Sequence, residues 1–231
     1  MVWNRDALEG NEWEFCKLWT DYKIVADCSR VLLNPKLADD YFFNRAEVDH
    51  CTDLKLAVDA VSKVFAIEGV AGHIYDGKVL MADSRLTEVD TIYTLVYAGS
   101  SPRLCPSVEV KYADPESWTD TFCHAFEVAG WREEVYRITS SSSFAATLIE
   151  ATDELGPIAC CALFHSFGVT GIYCLGTIPT RRGRGVATSM LTRIVPEQEN
   201  PFLQSLRSEQ SLGFYERIGF VICYQKKIYR I

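Results

Sequence analysis

Leu175 to Met190 read LGTIPTRRGRGVATSM, and this stretch decides how the second half of the chain folds. An apolar, strand-like run, GIYCLGTI (Gly171 to Ile178), stops at Pro179. A short turn with three arginines and two glycines follows (Arg181, Arg182, Gly183, Arg184, Gly185), and then the helix-forming VATSMLTRI. Strand, glycine-rich turn and helix start together make an anion cradle. The first-turn N–H groups lack intrahelical partners, the macrodipole puts positive partial charge there, and glycine lets a ligand approach the backbone. Arginines at a helix N-terminus are disfavoured by about 0.3–1 kcal/mol each, a cost that a phosphate-rich ligand would reverse. The competing reading is an ordinary strand–helix turn with solvated arginines. A Walker A loop does not fit, because Val186-Ala187 stand where Lys-Ser/Thr would follow the second glycine. A dinucleotide loop does not fit either, because the third glycine is missing.

Arg182-Gly183-Arg184-Gly185-Val186-Ala187 resembles the (Q/R)-x-x-G-x-(G/A) pyrophosphate loop of the GNAT superfamily of acyl-CoA N-acyltransferases. Downstream, FLQSLRSEQSLGFYERIGF (Phe202 to Phe220) resembles the closing strand–helix unit of that superfamily, with Phe214 to Phe220 matching its (F/L)-Y-x-x-x-G-F ending. The resemblance covers roughly residues 107–231 and implies an α/β (α+β) fold: a mixed, mostly antiparallel twisted sheet flanked by helices. YFFNRAEV (Tyr41 to Val48), with a helix and GHIYDG after it, resembles loosely the degenerate first lobe of two-lobed members, which has lost its CoA loop. Residues 1–106 are therefore expected to form a smaller α/β lobe without a CoA site, and 107–231 the N-acetyltransferase domain. The first lobe would close the acceptor pocket or extend the sheet, its aromatics (Trp13, Phe15, Trp19, Tyr22, Tyr41, Phe42, Phe43) largely buried. An unrelated α/β cap is the alternative.

At 231 residues and 48% apolar, the chain can build one large domain or two small ones. The net charge is −8, most of it in residues 1–106, which argues against nucleic-acid or anionic-membrane partners. Nine cysteines without a C-x-x-C pair, and four scattered histidines, give no metal-ligand spacing. Cys160, Cys161, Cys174 and Cys223 lie in apolar runs where a thiol acts as a small hydrophobe, so a reducing, cytoplasmic setting is expected. MVWNRDALEG shows no apolar leader pattern. The uncharged stretch Pro157–Thr180 reads as two strands, Ile158–Phe167 and Gly171–Ile178, joined at Gly168-Val169-Thr170, rather than as a membrane span.

The Ser/Pro/Gly cluster from Gly99 to Pro106 is the expected boundary. Beyond it come strand Val108–Tyr112, a helix from Pro115 capped by Asp114 through Val128, helix Arg132–Thr139, a break at Ser140–Ser143 and strand Phe144–Ala151. After the two central strands follow helix Gly183–Ile194 stopped by Pro196, strand Phe202–Leu206, helix Ser208–Arg217 and strand Phe220–Ile231. That order is the GNAT order. In the first half, Lys23–Leu33, Gly72–Tyr75 and Thr91–Val96 read as strands and Asp53–Ile67 as a helix.

The resemblance implies acetyl-CoA as co-substrate and an amine, small molecule or protein, as acceptor. The loop Arg182–Ala187, Val186 included, would hold the pyrophosphate through backbone N–H groups. Arg181, Arg182 and Arg184 would add ionic contacts. Backbone on strand Leu175–Ile178 would pair with the pantetheine amides, and around Thr177 and Ile178 it would polarise the thioester carbonyl. Tyr215 would be the general acid that protonates the departing thiolate, against a packing role for its ring. Ser208 would touch CoA or merely cap its helix. Residues 169–179 contain no carboxylate. His165, Glu150 and Tyr173 are then the base candidates, a structural role being the simpler reading for His165, and direct attack with a water relay is expected. Cys174 as a nucleophile is disfavoured by its apolar neighbours. A catalytically silent acyl-CoA-binding module is the alternative function.

Overall fold

The computed structural model describes residues 3–25, 29–38, 40–48, 51, 53–76, 86–99 and 108–231. They group into two compact units. The first comprises Met1–Phe15, Thr94–Gln204 and Ser211–Cys223; the second comprises Cys16–Tyr93, Ser205–Gln210 and Tyr224–Ile231. These are not the halves 1–106 and 107–231. Long elements make the difference: strands β5 (Thr87–Tyr97) and β11 (Phe220–Arg230) each contribute one end to each unit, and helix α1 (Arg5–Lys17) lies mostly in the first. Of the expected boundary, Ser100–Pro106 lies outside the described residues.

The second unit starts with β1 (Asp21–Val25) and β2 (Ser29–Leu33), an antiparallel pair where the sequence suggested a single strand. Strand β3 (Asn44–Glu47) adds antiparallel to β2, and β4 (His73–Asp76) runs parallel to β3. Between them comes α2 (Leu54–Glu68). Its N-cap Asp53 accepts from the Leu56 N–H at 3.0 Å, and Gly69 ends it in the left-handed region. Ala57, Val58, Val61 and Phe65 form one apolar stripe and bury against Val31, Leu33, Ala46, Val48 and Ile74. The end of β11 closes this set, antiparallel to β4.

In the first unit, β6 (Glu109–Tyr112), β7 (Thr147–Asp153), β8 (Gly156–Ser166) and β9 (Val169–Thr177) pair antiparallel in sequence order, and β10 (Pro201–Leu206) adds parallel to β9. The β8–β9 turn is Phe167-Gly168, both at positive φ, as the right-handed strand twist prefers. Helix α3 (Pro115–Ala125) begins as expected: Asp114 accepts from the N–H groups of Glu116 and Ser117 at 3.0 Å each. It packs on β8 through Trp118, whose indole N–H donates to the Cys161 carbonyl at 2.8 Å. Helix α4 (Arg132–Thr139) follows, and later α5 (Val186–Ile194) and α6 (Leu212–Ile218).

Helix α1 had no clear sequence signal. RDALEGNEWEFCK is mostly polar, with Gly10 inside, although Leu8, Trp13, Phe15 and Cys16 are buried. Its anchor is Asn11, fully buried, whose amide donates to the carbonyls of Phe164, Ser166 and Val169 at 3.1–3.3 Å while its oxygen accepts from Tyr173. Of the N-terminal aromatics, Trp13, Phe15, Trp19 and Phe43 are buried and Tyr22 is exposed. Six described cysteines are free thiols. Cys51 is disulfide-bonded.

Burial pushes the Asp40 carboxyl from 3.8 up to about 6. The N–H groups of Phe42 and Phe43 (2.6 and 3.1 Å) and the charge of Arg45 oppose the rise, and Glu209 adds to it. Below pH 4 both folded and unfolded chains hold this proton. Between pH 4 and 6 the unfolded chain releases it first, so stability falls, and above pH 6 the loss is complete, about 2–3 kcal/mol. Asp40→Asn keeps the acceptor without the charge. Urea unfolding should show the variant free of this fall and more stable than the parent at pH 7.5 by roughly 1–3 kcal/mol; an unchanged pH slope would contradict it.

Candidate active site

The site is built on the second half of β9. Its register with β8 runs evenly to Ala162–Tyr173, then resumes at Cys160–Gly176, so β9 carries one extra residue: a β-bulge. Cys174 sits there at φ 54, a left-handed conformation costing a non-glycine residue about 1–2 kcal/mol. On the other side, pairing with β10 ends at Ile172–Leu203. Beyond it, among the described residues, β9 pairs with β8 alone, which leaves one edge of the strand open. The Ile178 N–H donates to the Ile158 carbonyl at 3.0 Å, so by antiparallel alternation Thr177 points its own N–H and C=O away from β8. The Ile178 donor is engaged inside the sheet, whereas the Thr177 N–H faces the open edge. Leu175 stands at the bulge.

Pro179–Arg181 make one 3-10 turn, and Arg182 is extended. Gly183 (φ 73) and Gly185 (φ 79) are both left-handed, the conformation that favours glycine. The space where a Gly183 Cβ would lie is open. Gly185 is the N-cap of α5, with no side-chain cap bond, and its carbonyl accepts from the Ser189 N–H at 2.9 Å. The N–H groups of Val186, Ala187 and Thr188 therefore have no helical partner. The Val186 side chain is buried in the apolar face of α5, together with Met190, Leu191 and Ile194.

The arginines divide. Arg181 Nε donates to Asp153 Oδ2 at 2.8 Å; the Leu155 N–H and then Arg181 hold that carboxyl below its ordinary range. Arg182 donates to the Ala125 carbonyl (2.7 Å) and the Thr177 carbonyl (3.1 Å), with Glu127 at 3.4 Å. Arg184 is exposed; its charge also helps hold Asp153 low, but among the described residues no hydrogen bond or ion pair engages it.

Tyr215 lies on α6, which packs against α5. Its ring is 8% exposed and sits edge-on to Phe214 and Phe220 (centroids 5.0 and 6.2 Å). Ser208 does not cap that helix. Gln210 at φ 54 breaks the helical run, α6 starts at Leu212, and Ser211 takes the N-cap position. Ser208 belongs to the second unit, where its hydroxyl donates to buried Asp90; the same carboxylate accepts from the N–H groups of Ser208 (3.3 Å) and Thr91 (2.7 Å). Asp90, inside TEVDTIYTLV, carries no sequence mark that reveals this role.

The base candidates are placed as follows. His165 is exposed near the β8–β9 turn, 3.2 Å from Thr170 Oγ1 and 3.6 Å from Glu199. Thr170 is seven residues from Thr177, about 23 Å along the strand. Glu150 is buried and accepts from Ser117 and Thr121 hydroxyls under α3, about 10 Å from Gly176 across β8. The Tyr173 hydroxyl donates to Asn11 at 2.8 Å, and its ring stacks on Phe15 at 3.8 Å. Burial raises the Cys160 thiol well above its ordinary value and pushes Cys161 up to about 12. No group of three or more potential metal ligands occurs among the described residues, and none of their helices is long and apolar enough to cross a membrane.

No family model and no curated protein matches the sequence. Solved structures do. A conserved protein of unknown function from Staphylococcus epidermidis aligns with TM-score 0.68 at 10% identity, over 91% of this chain and 93% of its own. The GCN5-related N-acetyltransferase from Kribbella flavida aligns with TM-score 0.65 at 16% identity, over 96% and 93%. The one from Sphaerobacter thermophilus gives 0.63 at 13%, over 88% and 75%. The chain thus has the GNAT fold, a mixed, mostly antiparallel sheet flanked by helices.

Glu at position 185 would put a negative charge beside the α5 amides, at a φ (79) that disfavours any side chain. Gly185→Glu should stay folded by circular dichroism yet lose acetyl-CoA binding in calorimetry. Undiminished binding by the folded variant would contradict the cradle.

Proposed function

We propose that the protein is an acyl-CoA N-acyltransferase that moves an acetyl group from acetyl-CoA to a primary amine by direct attack. One observation carries the reading: within a single unit, an open strand edge at the β9 bulge leads directly into a left-handed glycine turn and the unpaired amides of α5. A strand edge suits the extended amides of pantetheine, and a helix N-terminus suits the pyrophosphate. The GNAT fold supports the same assignment.

In this scheme the amides of Gly185 to Thr188 hold the pyrophosphate and Arg184 adds charge. The Thr177 N–H donates to the thioester carbonyl oxygen and stabilises the charge that develops on it. The amine nitrogen attacks the carbonyl carbon, the C–S bond breaks, and the Tyr215 phenol gives its proton to the departing thiolate. Glu150, His165 and Tyr173 are bound to their own neighbours, so water carries the amine's proton away. The acidity of the chain suits a cationic acceptor. Because residues 169–179 hold no carboxylate, a silent acyl-CoA-binding module is the second reading. A CoA-release assay across a panel of amines separates the two.

Tyr215→Phe should bind acetyl-CoA normally and lose turnover with a responsive amine by about 10²–10⁴-fold, the usual range for a positioned general acid. Unchanged turnover would assign Tyr215 to packing.

A further inference from the structure

We propose that Arg182 is a positioning residue, a strut that fixes the glycine turn to the end of α3, and that Arg184 alone of the three arginines is presented to the ligand. The proposal deepens the acyl-CoA reading and rests on it for the identity of the ligand.

The guanidinium of Arg182 joins three elements at once. Its Nη2 donates to the carbonyl of Ala125, the last residue of α3, at 2.7 Å, and its Nε donates to Thr177 at the end of β9 at 3.1 Å. Ala125 is one of the four C-terminal carbonyls that a helix leaves unpaired, and a cation there is also favoured by the macrodipole. The planar fork of arginine can reach two acceptors in fixed directions, which an ammonium cannot imitate.

The end of α3 shows a second, independent sign. Its last turn closes as a Schellman motif: the Val128 N–H donates to Cys123 (2.9 Å) and the Glu127 N–H to His124 (3.4 Å). The residue between, at the left-handed position that usually holds glycine, is Glu127 with φ 59. Its carboxylate lies 3.4 Å from both terminal nitrogens of Arg182. The strained backbone thus places a charge against the strut. The same helix end rests on β9, since a Cβ on Gly176 would lie 2.7 Å from the Phe126 ring and 3.0 Å from Ala125. Arg181 is held by Asp153 in a similar way. Arg184, between the two left-handed glycines and exposed, is left to meet an anion.

The test compares Lys and Gln variants at positions 182 and 184, because lysine keeps the charge and loses the fork. Acetyl-CoA affinity by calorimetry should fall about tenfold in both Arg182→Lys and Arg182→Gln, one lost charge-assisted bond or more. Arg184→Lys should stay within about twofold of the parent and Arg184→Gln should fall about tenfold, as a point charge facing an anion would. In the ligand-free protein, exchange of the bonded amides of Arg181 and Ser189 should quicken in both Arg182 variants and stay unchanged in Arg184→Gln. Arg182→Lys binding like the parent, or unaltered exchange in the Arg182 variants, would overturn the strut. If the parent binds no acetyl-CoA, the functional reading falls while the exchange arm still decides the role of Arg182. Should an Arg182 variant not fold, Glu127→Gln takes its place: quickened exchange at the same amides supports the strut, and none contradicts it.

Discussion

Parallel pairing between β9 and β10 stops at Ile172–Leu203, and what the loop-bearing unit can do depends on that stop. A strand inside a sheet has both edges committed. Here the bulge at Cys174 bends β9 while β8 keeps hold of it, so only one edge opens. Alternation then decides which backbone groups face the opening, and Thr177 is the residue it selects. The cost of a left-handed cysteine is offset by the antiparallel pairs that β8 and β9 form on either side of the bulge. The result is a short length of unpaired strand in a rigid frame, which suits an extended amide-rich ligand far better than a loop would.

The glycine turn follows from the same geometry. The chain leaves β9 after Thr177, turns at Pro179–Arg181 and enters α5 at Val186, with left-handed glycines at 183 and 185 making the reversal. Arg182, Gly183 and Arg184 in the turn are exposed. The turn's position is set from outside, by Arg182 on the end of α3 and by Arg181 on Asp153. Both guanidiniums thereby leave the helix N-terminus they would otherwise burden. Charge in this turn is in large part structural, although in sequence it reads as ligand-directed.

Much of this was legible before the structure. Pro115 after Asp114 marks the start of α3, Arg132–Thr139 matches α4 residue for residue, and RRGRGVA shows the turn and helix start. Local signals carried those elements: caps, prolines and glycines act within a few residues. Long-range constraints were not readable. Helix α1 depends on Asn11 reaching carbonyls more than 150 positions away. Ser208 looked like a cap because Gln210 gives no warning of its left-handed conformation, and Asp90, its true partner, lies 118 residues earlier. The roles of the arginines were hidden for the same reason, since Ala125, Glu127 and Asp153 come close only in three dimensions.

The central claim is that an acyl-CoA lies along the Thr177 edge with its pyrophosphate on the amides that open α5. A backbone-amide NMR titration with acetyl-CoA tests it most directly. The account predicts the largest shifts at Thr177 and at Gly183 to Thr188, saturating at one equivalent per chain. Saturable binding that leaves those amides unmoved, or a second equivalent bound elsewhere, would contradict it.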